Sequence, residues 1–420
     1  MEYINNIYAE IYIKEENITE KIRIINSFEQ CKREFNWNDN EDEYKYKNEE
    51  DIKENCEISI NNEKIPFSYF YKFNKKGKFI IKYSFKKDLK IISYMFYKCN
   101  YLTNIDLSHF NTEKVIYMNG LFSICTSLRS INLSNIDTQN VINMKSMFSL
   151  CSSLKYIDLS NLNTQRVTNM SFMFHCCCSL IYIDFSKLFN TQNVTTMRGM
   201  FSGCNSLKNI DLSNFNTQNV TKLQCLFSHC FSLKDIDLSN FNTQNVTNMR
   251  CMFHGCKNLK KINLSSFNTQ NVITFKSLFG QCYSLGNIDI TNFNTQSAID
   301  MSSMFGECSK LVSIDLSNFN TQNVTQMYGM FYNCFSLTNV NVSGFNTKKV
   351  KDMSNMFLRC YSLINLDLSN FSNEKTTKID DMFFKCYSLI NVDISNINLE
   401  NRSQENSIFE DCYSLIKKII

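Results

Sequence analysis

Proline occurs once in this 420-residue chain and glycine ten times, so no stretch has the composition of a flexible linker or a low-complexity spacer. Histidine is nearly as scarce. The four, His109, His175, His229 and His254, fall at unrelated offsets, no glycine-rich loop is placed to cradle a phosphate, and no nucleophile elbow is present. Enzymatic chemistry therefore has no constellation to rest on, and neither catalytic residues nor a cofactor are expected. The single tryptophan, Trp37, lies near the N-terminus.

Charge is missing as a one-sided excess. Lysine and arginine number 44 against 40 acidic residues, and a net charge of +4 is too small over this length to imply nucleic acid as a partner. No apolar run is long enough to span a bilayer. The opening MEYINNIYAEIYIKEEN carries charge inside its apolar run and does not fit a secretory signal. The expected location is the cytoplasm, with the cell surface reached by non-classical export as the alternative. In that setting the nineteen cysteines are expected to be reduced thiols.

What the chain does have is a repeat, seen most plainly in DLSNFNTQNVTNMRCMFHGCKNLKKI, residues 237–262. Its last cysteine recurs at Cys99, Cys125, Cys151, Cys177, Cys204, Cys230, Cys256, Cys282, Cys308, Cys334, Cys360, Cys386 and Cys412. Each step is 26 residues except Cys177 to Cys204, which is 27, and the extra residue falls in FSKLFNT, where a corner bulge is expected. A fixed period of this length means stacked units that bury their apolar faces only against their neighbours.

Within one unit, alternation over Ile236, Asp237, Leu238 and Ser239 predicts a short strand. The spacing of Val246, Met249, Met252, Phe253 and Cys256 predicts one face of a short helix, with Asn245 or Thr247 as its cap. Phenylalanine stands before the ladder cysteine in every copy, from Phe96 to Phe409, and predicts a stack of rings along the axis. In the last copy Arg402 and Glu405 replace apolar residues, the polar decay of a terminal unit, and the chain stops at Lys417–Ile420. A monomer is expected, with weak end-to-end association through that edge as the minor alternative.

The pattern LxxIDLSNFNTQNVTNMxxMFxxCxS, carried thirteen times over more than three quarters of the chain, resembles the BspA-like leucine-rich repeat family. The resemblance implies an α/β solenoid over residues 89–420, a right-handed leucine-rich-repeat-like coil of about 13 turns with a parallel sheet on one face. It also implies the adhesin or extracellular binding role of the better known bacterial members. This chain departs from them in showing no export signal or anchor.

Residues 1–88 lie outside the repeat. Strands are predicted at residues 7–13, 22–25, 56–60, 67–73 and 78–85, with a helix after Asn26-Ser27 that sets Phe28, Cys31 and Phe35 on one face. The acid-rich segment 39–57 reads as an exposed loop. The order suggests a small α+β domain, β-grasp or sandwich-like, that caps the open first turn of the coil.

Several columns invite a functional reading. The thirteen cysteines fall on the apolar face, where cysteine acts as a small hydrophobe. Cys225 and Cys251 share another column on adjacent turns, and Cys176 and Cys178 flank Cys177. His229 and His254 are near in sequence, yet zinc would call for paired CxxC knuckles that are absent, and no metal is expected. Outward on the strands runs an acidic ladder that includes Asp211, Asp237, Asp289 and Asp315, read equally as a register-fixing ladder and as a stripe for a basic partner. Lys208, Lys234, Lys260 and Lys261 make a basic patch beside it. These eight residues are the candidate contacts for a protein partner of a non-enzymatic interaction scaffold. At the corners, Asn242 and its equivalents are expected to bond the backbone of neighbouring turns. The threonines beside them raise ice binding, which would need a flat regular face.

Overall fold

The computed structural model describes residues 5–35, 43–185, 188–372, 374, 376, 378–397 and 408–415. Trp37, Ser186-Lys187 of the FSKLFNT segment where the corner bulge is expected, Arg402, Glu405 and the terminal Lys417–Ile420 lie outside them. Two compact units divide the chain, Met1–Asn216 and Thr217–Ile420.

In the first unit, strand β1 (Asn6–Ile13) buries Ile7, Ala9, Ile11 and Ile13 on one face, as its alternation predicts. Strand β2 (Lys21–Arg23) and helix α1 (Phe28–Phe35) follow, the helix started by the Ser27 hydroxyl, which accepts the Gln30 N–H at 3.1 Å. Phe28 and Cys31 are its buried residues.

The acid-rich segment is not simply a loop. It contains helix α2 (Glu49–Asn55), which three acidic residues in its first turn favour and whose Ile52 is fully buried. The buried Asn48 ties this helix in place. Its Oδ1 accepts the Phe28 N–H at 2.9 Å and its Nδ2 donates to the Ser93 carbonyl at 2.8 Å.

Strands β3 (Cys56–Ile60), β4 (Glu63–Ile65), β5 (Phe70–Lys72) and β6 (Gly77–Phe85) complete the non-repeat part. The main sheet has the order β4-β3-β6-β1, antiparallel throughout, and β2 pairs with β5 in a separate ladder. Beyond β1 the same sheet continues into the repeat. Strand β7 (Leu102–Asp106) pairs antiparallel with β1 and parallel with β8 (Ser130–Asn132). Tyr83 and Phe85 of β6 lay their rings on Phe96 and Phe110, at 5.4 and 5.1 Å between centroids.

The repeats form a solenoid whose strands are short. Strands β9 (Tyr156–Asp158) and β10 (Tyr182–Asp184) pair in the first unit. In the second unit β11 (Asp235–Asp237) pairs with β12 (Lys261–Asn263), β13 (Ser313–Asp315) with β14 (Asn339–Asn341), and β15 (Asn365–Asp367) with β16 (Asn391–Asp393), all parallel and in register. A second row of single parallel bridges, such as Asn248 to Thr274, runs through both units.

The segment expected to be helical is not a helix. Along residues 251–256 the amides alternate. Those of Cys251, Phe253 and Gly255 donate to the next turn, at Lys276, Leu278 and Gly280. Those of Met252, His254 and Cys256 donate three residues back in their own turn. An α-helix would satisfy all of these groups locally. Here half of them cement neighbouring turns, and the apolar spacing that mimics a helix comes from successive tight turns.

The geometry requires two left-handed residues per turn, four apart: Ser146 and Leu150, Cys225 and His229, Ser303 and Glu307, Asn355 and Arg359. Glycine fills both places only at Gly199 and Gly203. Under this backbone the phenylalanine rings stack within each unit, from Phe96 to Phe201 and from Phe227 to Phe409, with centroids 5.2–5.9 Å apart and planes within 14°.

Candidate interaction surface

All eight residues singled out from the sequence are exposed. Lys208 and Asp211 belong to the first unit and the other six to the second. Lys234 and Lys260 follow one another on adjacent turns, joined by the Lys260 N–H to the Lys234 carbonyl at 2.7 Å. Lys261 stands in register with Asp235, and Asp237 with Asn263, so one edge of the second unit interleaves both signs of charge.

The four candidate carboxylates of the acidic ladder already have partners inside their own turns. The backbone N–H two residues on donates to it: Ser213 to Asp211 at 2.9 Å, Ser239 to Asp237 at 3.0 Å, Thr291 to Asp289 at 3.1 Å and Ser317 to Asp315 at 2.9 Å. This closes the turn after the strand and fixes the carboxylate's direction. The bonds hold these carboxyls below the usual range. The backbone amide is the leading cause for Asp211, Asp237 and Asp315, and the Thr291 hydroxyl for Asp289. Hydrogen bonds from Asn263 and Asn341 of the following turns lower Asp237 and Asp315 further.

The corner asparagines cap locally too, contrary to expectation: Asn242 Oδ1 accepts the Gln244 N–H at 3.1 Å within the same turn. Contact between turns falls to their neighbours. Thr243 Oγ1 donates to the Asn268 carbonyl and accepts the Asn268 N–H, both at 2.8 Å. Other asparagines reach back one turn, Asn245 to the Gln218 carbonyl at 2.7 Å and Asn292 to the Phe267 carbonyl at 2.9 Å. The corner threonines, Thr217 to Thr347, are fully buried, which removes the exposed array that ice binding requires.

The cysteine ladder is buried as expected from Cys99 to Cys386, with Cys412 half-buried, and it does more than fill space. Its thiols donate to the carbonyl of the phenylalanine one turn back, as in Cys256 to Phe227 at 3.1 Å and Cys334 to Phe305 at 3.1 Å. Burial pushes the Cys256 thiol up to about 12, so it stays protonated and able to donate.

Sequence reasoning missed the course of the column that holds Lys234 and Lys260. In the second unit it continues through Gly286, Val312, Thr338, Ile364 and Ile390, with Val312 46%, Ile364 41% and Ile390 37% exposed. Reading this column across turns, as was done for the core, exposes the change from basic to apolar. A shallow open groove of about 760 Å³ lies on another face of the second unit, lined among others by Asn271, Ile273, Ser297 and Ile299. Among the described residues no three His, Cys, Asp or Glu side chains converge as a metal site, and no helix is long and apolar enough to cross a membrane.

A family model described as "Mycoplasma protein of unknown function, DUF285" matches residues 90–209, 158–237, 178–285, 231–338, 256–362 and 311–420. The chain belongs to the DUF285 family. Together the DUF285 matches span the repeat and leave residues 1–89 outside. Among solved structures, a leucine rich cell surface protein from Faecalibacterium prausnitzii A2-165 is similar at 17% identity and a TM-score of 0.32, over 75% of this chain and 78% of that one. A TLR13–ssRNA13 complex is similar at 17% identity and a TM-score of 0.27, over 72% of this chain and 48% of that one. No protein of curated function matches this DUF285 chain.

Proposed function

We propose that the chain is a non-enzymatic, BspA-like scaffold that binds an elongated protein partner along the strand face of its second unit. The observation that carries this reading is the division of labour within each turn. Residues that repeat are buried or spent on caps, whereas Lys234, Lys260, Val312, Ile364 and Ile390 differ from turn to turn on an unchanging backbone. A solenoid of this kind can vary its surface without altering its coil. The partner suited to the column has acidic residues against Lys234, Lys260 and Lys261, and apolar ones against Val312, Ile364 and Ile390. Asp237, Asp289 and Asp315, with Lys208 and Asp211 in the first unit, are the next candidates for contact. Residues 1–88 serve as the cap of the coil. The protein works as a monomer in the cytoplasm.

The test is affinity capture and crosslinking with the full chain, comparing the wild type with Lys234→Glu/Lys260→Glu and with Ile364→Asp/Ile390→Asp. Loss of the same partner in both variants is expected. A partner retained by both overturns the strand-face reading. A thiol count in denaturant without reductant, with glycan analysis beside it, separates locations: free thiols are expected throughout the buried ladder, and oxidised ladder cysteines or glycosylated protein move the scaffold to the cell surface.

A further inference from the structure

Outside the ladder the repeat carries few cysteines, and two of them stand in one column on consecutive turns. At the first left-handed position of each turn the chain places Tyr94, Gly120, Ser146, Phe172, Gly199, Cys225, Cys251, Ser277, Ser303, Gly329, Asn355 and Asp381. Cysteine appears there twice in succession and nowhere else. Cys225 and Cys251 are half-buried, unlike the sealed ladder thiols on either side, Cys230, Cys256 and Cys282. The Cys225 N–H donates to the Arg250 carbonyl and the Cys251 N–H to the Lys276 carbonyl, both at 2.9 Å. The two cysteines thus lie side by side on adjacent turns, at a strand spacing of about 4.8 Å that falls within the range a disulfide spans. Arg250 and Lys276 bring positive charge to Cys251. A solvent-reached thiol with a thiol partner and two cations is the setting in which a cysteine becomes a nucleophile.

We propose that Cys225 and Cys251 are a redox-active dithiol, oxidised by hydroperoxides to a disulfide that links two adjacent turns of the second unit. The Cys251 thiolate attacks one peroxide oxygen. A sulfur–oxygen bond forms, the oxygen–oxygen bond breaks, and hydroxide leaves to be protonated to water. Cys225 then attacks the Cys251 sulfenic acid. A sulfur–sulfur bond forms, the sulfur–oxygen bond breaks, and the departing hydroxide takes the Cys225 proton as a second water. Two thiols have supplied the two electrons that reduce one hydrogen peroxide, and an external dithiol reverses the step.

The hydrogen bond from Cys225, followed by the effects of Arg250 and Lys276, pulls the Cys251 thiol down to about 6, which supplies the thiolate for the first step. The fully buried ladder thiols of the same unit, such as Cys256 and Cys308, cannot compete, because burial raises them to about 12 and leaves them no solvent path. The half-buried thiols outside the ladder, Cys176 and Cys178 in the first unit, provide internal controls. Burial raises Cys176, which marks it as the slower reagent.

The experiment treats the reduced, native full-length protein with stoichiometric hydrogen peroxide at neutral pH, blocks free thiols with an alkylating reagent in denaturant, and maps the peptides without reductant. The expected result is a Cys225–Cys251 crosslink as the main product, reversed by dithiothreitol, and a native protein that a trivalent arsenical protects from rapid alkylation at two sites. Cys225→Ser and Cys251→Ser suit the controls because serine occupies the same position at Ser146, Ser277 and Ser303. Each should abolish the crosslink, and Cys225→Ser should leave a sulfenic acid on Cys251 that a dimedone probe labels. A main product at Cys176 or Cys178, or alkylation at Cys251 no faster than at Cys176, overturns the proposal.

Discussion

A buried cysteine with a role beyond its volume changes what substitution should do. The Phe227 carbonyl receives two donors, the Cys230 N–H at 3.1 Å from its own turn and the Cys256 thiol at 3.1 Å from the next. Serine keeps a donor at that place and alanine does not, so Cys256→Ser should be more stable than Cys256→Ala by about 1 kcal/mol in urea denaturation. Alanine equal to or better than serine would show that the thiol only fills space. Backbone strain supplies a second prediction at this scale. Leu150 has φ +62 and a 37% exposed side chain, so Leu150→Gly should raise stability by about 1 kcal/mol. Gly203→Ala should lower it, because φ is +77 and a Cβ there would lie 2.9 Å from the Cys176 sulfur. The left-handed positions were invisible in the sequence for a physical reason. Tyr94, Ile124, Phe172 and Arg359 share no turn-forming chemistry, and their conformation is imposed by bonds to the turns beside them.

A single turn shows which features of an element are local and which are shared. The Thr243 hydroxyl, fully buried, is both donor and acceptor for the Asn268 backbone one turn on, at 2.8 Å each way. Thr243→Val keeps the shape and strands a buried N–H and carbonyl, so a loss of about 2–3 kcal/mol is expected, with Thr243→Ser much closer to wild type. Equal stability of the valine and serine variants by thermal or urea unfolding would sink this assignment. The core columns, the strands and the phenylalanine stack could be read from period alone, because identical side chains recur wherever burial recurs. The helical reading of Val246 to Cys256 failed on a different quantity, the destination of backbone amides, since side-chain spacing cannot separate a helix from a run of tight turns. The acidic residues were legible as a column, but their hydrogen bonds to Ser239 and its equivalents were not, although a serine or threonine two residues after each carboxylate was the available clue.

Each unit as a whole is built around a line of protonated thiols, which ties its stability to pH. In the first unit burial raises Cys99 and Cys151 from 9.0 to about 12, and in the second it does the same to Cys256 and Cys308. The folded state therefore holds protons that the unfolded chain begins to release near pH 9, and the stability these thiols contribute is fully present below that point and lost above it. The fully buried Tyr83, also raised by burial, acts in the same direction. The carboxylates work at the opposite end: Asp211, Asp237 and Asp315 are lowered from 3.8, so what they contribute is present above that value and lost as the pH falls through their folded range. Denaturation midpoints should accordingly fall steeply above about pH 9, because each raised thiol removes roughly 1.4 kcal/mol per pH unit until its folded value is reached. With a net stability of about 5–15 kcal/mol for a typical folded protein, three or four such thiols are enough to unfold a unit within two to three pH units. Urea midpoints measured across that range, read with the release of reactive thiols, test the idea. Midpoints that hold level to pH 11 would mean that the ladder titrates without unfolding, and that the turns are held by their backbone bonds regardless of thiol charge.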